Sequence, residues 1–106
     1  PLELGITRVL ALNLQAAQPN WQVMQFPWLQ SQKPALVVRV DIQRLDAFPS
    51  YALLEAHVDL VDSKTGSTRS KLIRTRVDSS ADSASIANAF SQLLQQASAT
   101  IASDLL

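Results

Sequence analysis

The sequence predicts a small α/β domain in which a mixed, largely antiparallel sheet of about four strands packs with two helices. Three observations indicate this class. Apolar residues recur at helical spacing near both ends of the chain, they alternate at every second position through its middle, and turns containing proline or glycine separate the alternating stretches. The length of 106 residues suits one hydrophobic core, so residues 1–106 are expected to form a single domain.

The first element is predicted to be a helix over residues 1–18. Pro1 suits the first helical position, and Pro19 ends the helix. The apolar face is formed by Leu2, Ile6, Val9, Leu10, Leu14 and Ala17. A short strand is expected at residues 21–26, followed by a connector that is bounded by Pro27 and Pro34.

Three further strands are predicted at residues 35–44, 51–62 and 68–77, where apolar and polar residues alternate. In the second of these, alternation directs Leu54, Ala56, Val58 and Leu60 toward the core. A turn at residues 63–66, with Gly66 available for a positive φ, joins the last two strands into a hairpin. We therefore expect an antiparallel meander, with both helices on its apolar face or one helix on each face.

The last element is predicted to be a helix from about residue 83 to near the end of the chain, capped by Ser80 or Asp82. Its apolar face is formed by Ile86, Ala89, Phe90, Leu93, Ala97, Ile101 and Leu105. The opposite face is polar but almost uncharged, and both a solvated surface and a protein contact agree with that composition. Because the chain opens with a helix that leads into an interior strand, we expect an N-terminal portion of the domain to be missing.

Composition excludes several classes of function. Nine basic and nine acidic residues balance, so no net field attracts nucleic acid or an anionic membrane. The absence of cysteine removes thiol nucleophiles and thiolate metal ligands. No apolar run approaches the roughly 20 residues that span a bilayer. With two glycines in the chain, there is also no phosphate-binding loop of a common kind.

The only histidine, His57, is the best candidate for chemistry. Glu55, His57 and Asp59 alternate along one strand and are expected on the same sheet face. Same-face residues on one strand are about 7 Å apart, too far for the three side chains to hold one ion without help from a neighbouring strand. A half-exposed strand face with charge pairs is therefore the favoured interpretation, and no catalytic, cofactor-binding or metal-binding residue is assigned.

The strand at residues 68–77 is basic because it contains Arg69, Lys71, Arg74 and Arg76. Nucleic-acid binding would require aromatic residues among them for base stacking, and none is present. We expect these cations to pair with acidic residues of the preceding strand, namely Glu55, Asp59 and Asp62.

The aromatic residues identify a candidate protein-contact surface. Trp21 is expected in the core, whereas Phe26, Trp28 and Leu29 lie around two prolines in a connector. Phe48 and Tyr51 flank Pro49 in another connection. If the two connections lie at the same end of the sheet, these side chains would form one apolar patch. The alternative is that these side chains cover the open end of the core.

In chain order, these elements resemble those of a known family. Pro1-Leu2, Asn13-Leu14 and the stretch Pro19-Asn20-Trp21-Gln22-Val23 resemble its opening pattern, and Leu36-Val37-Val38-Arg39-Val40 resembles its central strand. The part of the last helix from Leu93 to Ile101 resembles its closing helix. The family is that of PqiC-like (YmbA-like) ABC-type transport auxiliary lipoproteins.

The resemblance implies a fold similar to the N-terminal domain of TolB and a non-enzymatic periplasmic accessory subunit of an ABC/MCE-type lipid-transport system. It further implies that a lipid anchor, whose attachment site is not in this sequence, holds the protein at the outer membrane. The implied partner is an MCE-type transporter protein, and the implied role is support of outer-membrane integrity, with assembly of several copies. The family's lipidated cysteine and first strands are absent, so the chain would be the C-terminal part of the periplasmic domain. Two alternatives stay open: a small hydrolase or metal-dependent enzyme that uses His57, and a periplasmic binding module for a hydrophobic ligand.

Overall fold

A computed structural model of the protein describes residues 2–24 and 34–105. The elements occur in the order α1 (Leu2–Ala17), β1 (Leu36–Ala47), β2 (Tyr51–Asp62), β3 (Thr68–Asp78) and α2 (Ser83–Asp104). The strands form one antiparallel sheet in the order β1-β2-β3. The predicted α/β class and both helices are confirmed, and the predicted meander is formed by these three strands.

The prediction of a strand at residues 21–26, ahead of β1, is wrong for the residues of it that the structure describes. Residues 21–24 form a bend and irregular backbone, and residues 25–26 lie outside the described part of the chain. The Gln15 side chain explains this conformation. Its Oε1 accepts the Val23 N–H at 2.9 Å, and its Nε2 donates to the Trp21 carbonyl. These backbone groups are thereby occupied and do not pair with a strand.

β1 continues three residues past its predicted end at Arg44 because a β-bulge shifts the alternation. Ile42 pairs with Ala56, Arg44 pairs with Glu55, and the extra residue Gln43 lies between them. A bulge places two residues of one strand against one of its partner, so inward-facing positions change parity beyond it. Leu45, rather than Arg44, therefore follows Ile42 toward the core.

The two helices pack on the same face of the sheet. Buried residues of both helices and of the inner faces of β2 and β3 form one apolar cluster, and the inner residues of β1 pack against it. The inward set predicted for β2 is confirmed: Leu54, Ala56, Val58 and Leu60 are all buried. The alternative of one helix on each face is therefore wrong. No helix in the described residues is long and apolar enough to cross a membrane.

The helix ends and faces follow the sequence closely. Asp82, rather than Ser80, caps α2, and its Oδ1 accepts the Ser85 N–H at 2.9 Å.

Ser98 is buried on the core side of α2, where its hydroxyl donates to the Leu94 carbonyl at 2.8 Å. That bond explains how a polar side chain fits an apolar face. Ala17, predicted on the inner face of α1, is exposed at the last residue of the helix.

Candidate functional site

The predicted contact residues Phe26, Trp28 and Leu29 lie outside the described residues, but the chain is described up to residue 24 before them and from Pro34 after them. At the C-terminal end, the Ser63 hydroxyl donates to the Pro34 carbonyl at 2.9 Å. The Ser63 N–H also donates to the Ala35 carbonyl at 2.8 Å. These bonds attach the connector to the end of the sheet where β2 turns into β3.

Described residues on both sides of this connector line a shallow groove of about 260 Å³. Trp21 and Leu36 line the groove together with Leu60, Leu105 and polar residues of β2 and β3. Trp21 is 42% exposed, so its predicted place in the core is wrong. It lies beyond the last turn of α1, where its carbonyl is bonded to Gln15. Leu36 is 36% exposed at the start of β1, so two large apolar side chains are accessible at this end of the sheet.

The second aromatic connection lies at the opposite end of the sheet. Leu36 pairs with Asp62 at one end of the β1–β2 ladder, whereas Ala47 pairs with Ala52 at the other. Beyond Ala47, the Phe48 and Tyr51 rings stack with centroids 4.6 Å apart, and Arg76 lies 3.9 Å from the centre of the Tyr51 ring. The described residues that flank the first connector therefore lie at the opposite end of the sheet from the Phe48–Tyr51 stack.

The outer face of the sheet carries Glu55, His57 and Asp59, as predicted from their alternation. His57 Nε2 is 3.5 Å from Asp59 Oδ1, and the two side chains are 39% and 28% exposed. The pairing register places Asp41 and Leu72 on either side of His57. Leu72 is 72% exposed, so this face is open to solvent at its centre.

The groups around His57 are arranged unlike a nucleophilic triad. The Ser70 hydroxyl donates to Asp59 Oδ1, the same oxygen that lies near His57. In a Ser-His-Asp triad the imidazole lies between the hydroxyl and the carboxylate, because it must take the proton from the nucleophile. Here the carboxylate lies between the hydroxyl and the imidazole. Within the described residues, no group of three or more His, Asp or Glu side chains is placed to hold a metal ion.

Of the four cations of β3, only Arg74 pairs with the preceding strand as predicted. Arg74 Nε is 3.4 Å from Glu55 Oε1, and Arg44 of β1 approaches the same oxygen at 3.5 Å. Arg76 instead lies over the Tyr51 ring. The predicted pairing of Arg76 with the acids of β2 is wrong because the aromatic ring of Tyr51 offers a nearer surface for its guanidinium.

Arg69 and Lys71 face the core side of the sheet and bind the C-terminal end of α2. Arg69 donates to the carbonyls of Asp104 and Leu105 at 3.0 and 3.2 Å, and Lys71 bonds to the Asp104 carboxylate. Cations are favoured there because the last carbonyls of a helix are unpaired and carry partial negative charge. The hydrogen bond from Lys71, with a second from Ser103, holds the pKa of Asp104 below its usual range.

Comparison with solved structures supports the fold. One crystal structure of an uncharacterised protein matches with a TM-score of 0.85 and 18% identity, covering 100% of this chain and 67% of the other. A candidate lipoprotein of Caulobacter crescentus CB15 matches with a TM-score of 0.53 and 19% identity, covering 92% of this chain and 78% of the other. No curated protein matches the sequence. At these identities the structural likeness concerns the fold alone.

The family of the chain follows from its sequence as a whole. The family model described as "ABC-type transport auxiliary lipoprotein component" matches residues 1–102, almost the entire length. Lipoproteins of this description assist a transporter and are located in the cell envelope. The protein therefore belongs to the family of ABC-type transport auxiliary lipoprotein components.

Proposed function

We propose that the protein is a non-enzymatic periplasmic accessory subunit of an ABC/MCE-type lipid-transport system, anchored to the outer membrane. In this role it binds an MCE-type transporter protein, assembles with further copies of itself, and supports outer-membrane integrity through protein contacts. The observation that carries the proposal is the family match over residues 1–102. The MCE-type partner and the outer-membrane anchor go beyond that match, and they rest on the resemblance of the sequence to the PqiC-like lipoproteins.

The connector that contains Phe26, Trp28 and Leu29 is the proposed contact with the transporter. The described residues on either side of it support this, because the side chains of Trp21 and Leu36 are accessible and line one groove. Apolar side chains clustered at a surface are typical of protein contacts, where a few large residues supply most of the binding energy.

The enzymatic alternative receives no support from the geometry around His57. The imidazole approaches a carboxylate that is itself bonded to Ser70, so it is not positioned to take a proton from that hydroxyl. His57 also lies on the outer face of the sheet, away from the residues that line the groove beside Trp21 and Leu36. A role in the charge pairing of the outer sheet face accounts for its surroundings.

Gene deletion with complementation tests the proposed role. We expect the deletion strain to become more sensitive to detergents and bulky antibiotics that an intact outer membrane excludes. The full-length wild-type protein and the His57→Ala variant should both restore resistance, because neither the fold nor the proposed contact depends on that imidazole. Loss of complementation by a stable His57→Ala protein would contradict the non-enzymatic proposal.

A further inference from the structure

The Gln15 side chain makes three hydrogen bonds to the backbone that follows α1. Its Oε1 accepts the Val23 N–H at 2.9 Å, while its Nε2 donates to the Gln18 carbonyl at 3.2 Å and to the Trp21 carbonyl. The Trp21 N–H also donates to the Gln18 carbonyl at 3.1 Å. An amide can bind this segment because it contains both an acceptor and donors, whereas a carboxylate only accepts and an ammonium group only donates.

Trp21 is the apolar wall of the groove that depends most on such bonds. Leu36 and Leu60 line the groove from β1 and β2, where ladder hydrogen bonds fix the backbone, and Leu105 caps α2. Trp21 instead lies in a bend beyond α1, and its side chain is 42% exposed. Without the Gln15 bonds, more of this backbone would have to be ordered when a partner binds.

We infer that Gln15 is a positioning residue for the transporter contact, because its amide fixes the backbone at Trp21 and Val23 and thereby holds the Trp21 side chain at the groove. This inference rests on the proposed function and deepens it by naming a residue on which the contact depends. Gln15 acts through Trp21 and does not itself have to touch the partner. A side chain that is ordered before association binds more tightly, since less conformational entropy is lost.

A purely structural role at the end of the helix is the competing explanation. The last carbonyls of a helix are unpaired, and a side chain that bonds to them stabilises the helix end. The Gln15 bonds extend further than this role requires, because Trp21 and Val23 lie four and six residues beyond Ala17, where α1 ends. The two roles differ in one measurable respect, which is whether the effect of Gln15 on binding requires the Trp21 side chain.

Hydrogen exchange tests the Gln15 bonds without any partner. Gln15→Met keeps a side chain of similar length and removes both the acceptor and the donor. In the full-length protein, NMR should show the Val23 amide exchanging at least about tenfold faster in this variant than in wild type, because that N–H loses its acceptor. The matched control is Gln92→Met, the same substitution at an exposed glutamine of α2, which should leave the exchange of Val23 unchanged. Thermal melts check that both variants are folded.

Binding of the MCE-type transporter protein, measured by surface plasmon resonance, tests the positioning role. We expect Gln15→Met to raise the Kd of the complex by about three- to tenfold and Gln92→Met to leave it unchanged. In a Trp21→Ala protein, Gln15→Met should have little further effect, because the side chain that it positions is then absent. A general loss of stability would instead weaken binding equally with and without the Trp21 side chain.

The outcomes separate this inference from the function on which it rests. Unchanged exchange of Val23, an unchanged Kd for Gln15→Met, or an equal loss of binding in the wild-type and Trp21→Ala backgrounds would overturn the inference and leave the accessory role standing. A wild-type protein that does not bind the transporter protein would contradict the proposed function and the inference together, whatever the exchange of Val23 shows.

Discussion

Glu55 and Arg74 face each other across β2 and β3, with Glu55 Oε1 3.4 Å from Arg74 Nε on the outer face of the sheet. The same carboxylate oxygen lies 3.5 Å from Arg44 Nη1 of β1. One acid of the central strand thus joins the two edge strands. Arg74 is 72% exposed at its side chain, so solvent screening keeps the energy of the pair small.

A double-mutant cycle measures this pair. Reversal of charge at Arg74 should lower the free energy of unfolding, and reversal at Glu55 in the same chain should restore part of the loss. We expect a coupling of roughly 0.2–1 kcal/mol by denaturant unfolding, as is usual for cross-strand pairs on an exposed face. Arg44 limits the rescue, because the reversed residue 55 would repel it. Zero coupling would show that the two side chains do not interact in solution.

The pairing at the end of α2 predicts a dependence of stability on pH. The pKa of Asp104 is lowered, first by the hydrogen bond from Lys71, so its carboxylate is stabilised by folding. This stabilisation is present above the pKa of the unfolded chain and is lost as the pH falls through the lowered pKa of the folded protein. In Lys71→Met, the pKa of Asp104 should rise, and stability should depend less on pH in that range.

NMR titration of the side-chain carboxyl groups checks this prediction, with Asp82 as an internal control. The pKa of Asp82 is lowered by hydrogen bonds from the Ser80 hydroxyl and the Ser85 N–H, and Lys71 is not among the causes. Lys71→Met should therefore leave the pKa of Asp82 where it is. An equal change at both aspartates would point to a general change in the protein instead of the loss of one contact.

Two leucines of the helices provide a matched test of the packing. Leu93 is fully buried in α2, whereas Leu12 is 60% exposed in α1. Leu93→Ala removes atoms from the centre of the core and should lower the free energy of unfolding by about 2–5 kcal/mol. Leu12→Ala should change it by no more than about 0.5 kcal/mol. Similar losses for both leucines, measured by denaturant unfolding, would contradict the described placement of α1.

His57→Ala is expected to have little effect on stability. The side chain is 39% exposed and only approaches Asp59, so the free energy of unfolding should change by no more than about 0.5 kcal/mol. Denaturant unfolding gives this value. A larger loss would mean that the imidazole has a structural partner beyond Asp59.

Local patterns predicted most of the fold. The alternation in β2 and β3 and the short turn between them were sufficient to predict that Glu55 opposes Arg74, because a tight hairpin determines which residues pair. The extension of β1 was not predictable in this way, since the bulge at Gln43 interrupts the alternation. Arg69 and Lys71 were assigned to the wrong partners because the end of α2 is 33 or more residues away in sequence.

Less of the candidate site could be predicted. The alternation identified the outer face with His57. The bonds that Gln15 makes to the backbone at Trp21 and Val23 could not be predicted, because nothing in the sequence distinguishes Gln15 from any other glutamine in a helix. An aromatic residue that follows a helix is consistent with both a core and a surface position, and tertiary contacts decide between them. The proposed contact residues Phe26, Trp28 and Leu29 were selected by composition and stay a prediction.

Binding of the MCE-type transporter protein to the full-length lipoprotein tests the central claim most directly. Purified proteins can be compared by pull-down with three forms: wild type, Trp28→Ala, and the control variant Leu72→Ala, which removes a large apolar side chain that is 72% exposed on the outer face of the sheet. We expect wild type and Leu72→Ala to retain the partner and a folded Trp28→Ala to lose most of it, since large aromatic residues dominate binding energy at protein contacts. No binding of the partner by the wild-type protein would contradict the account.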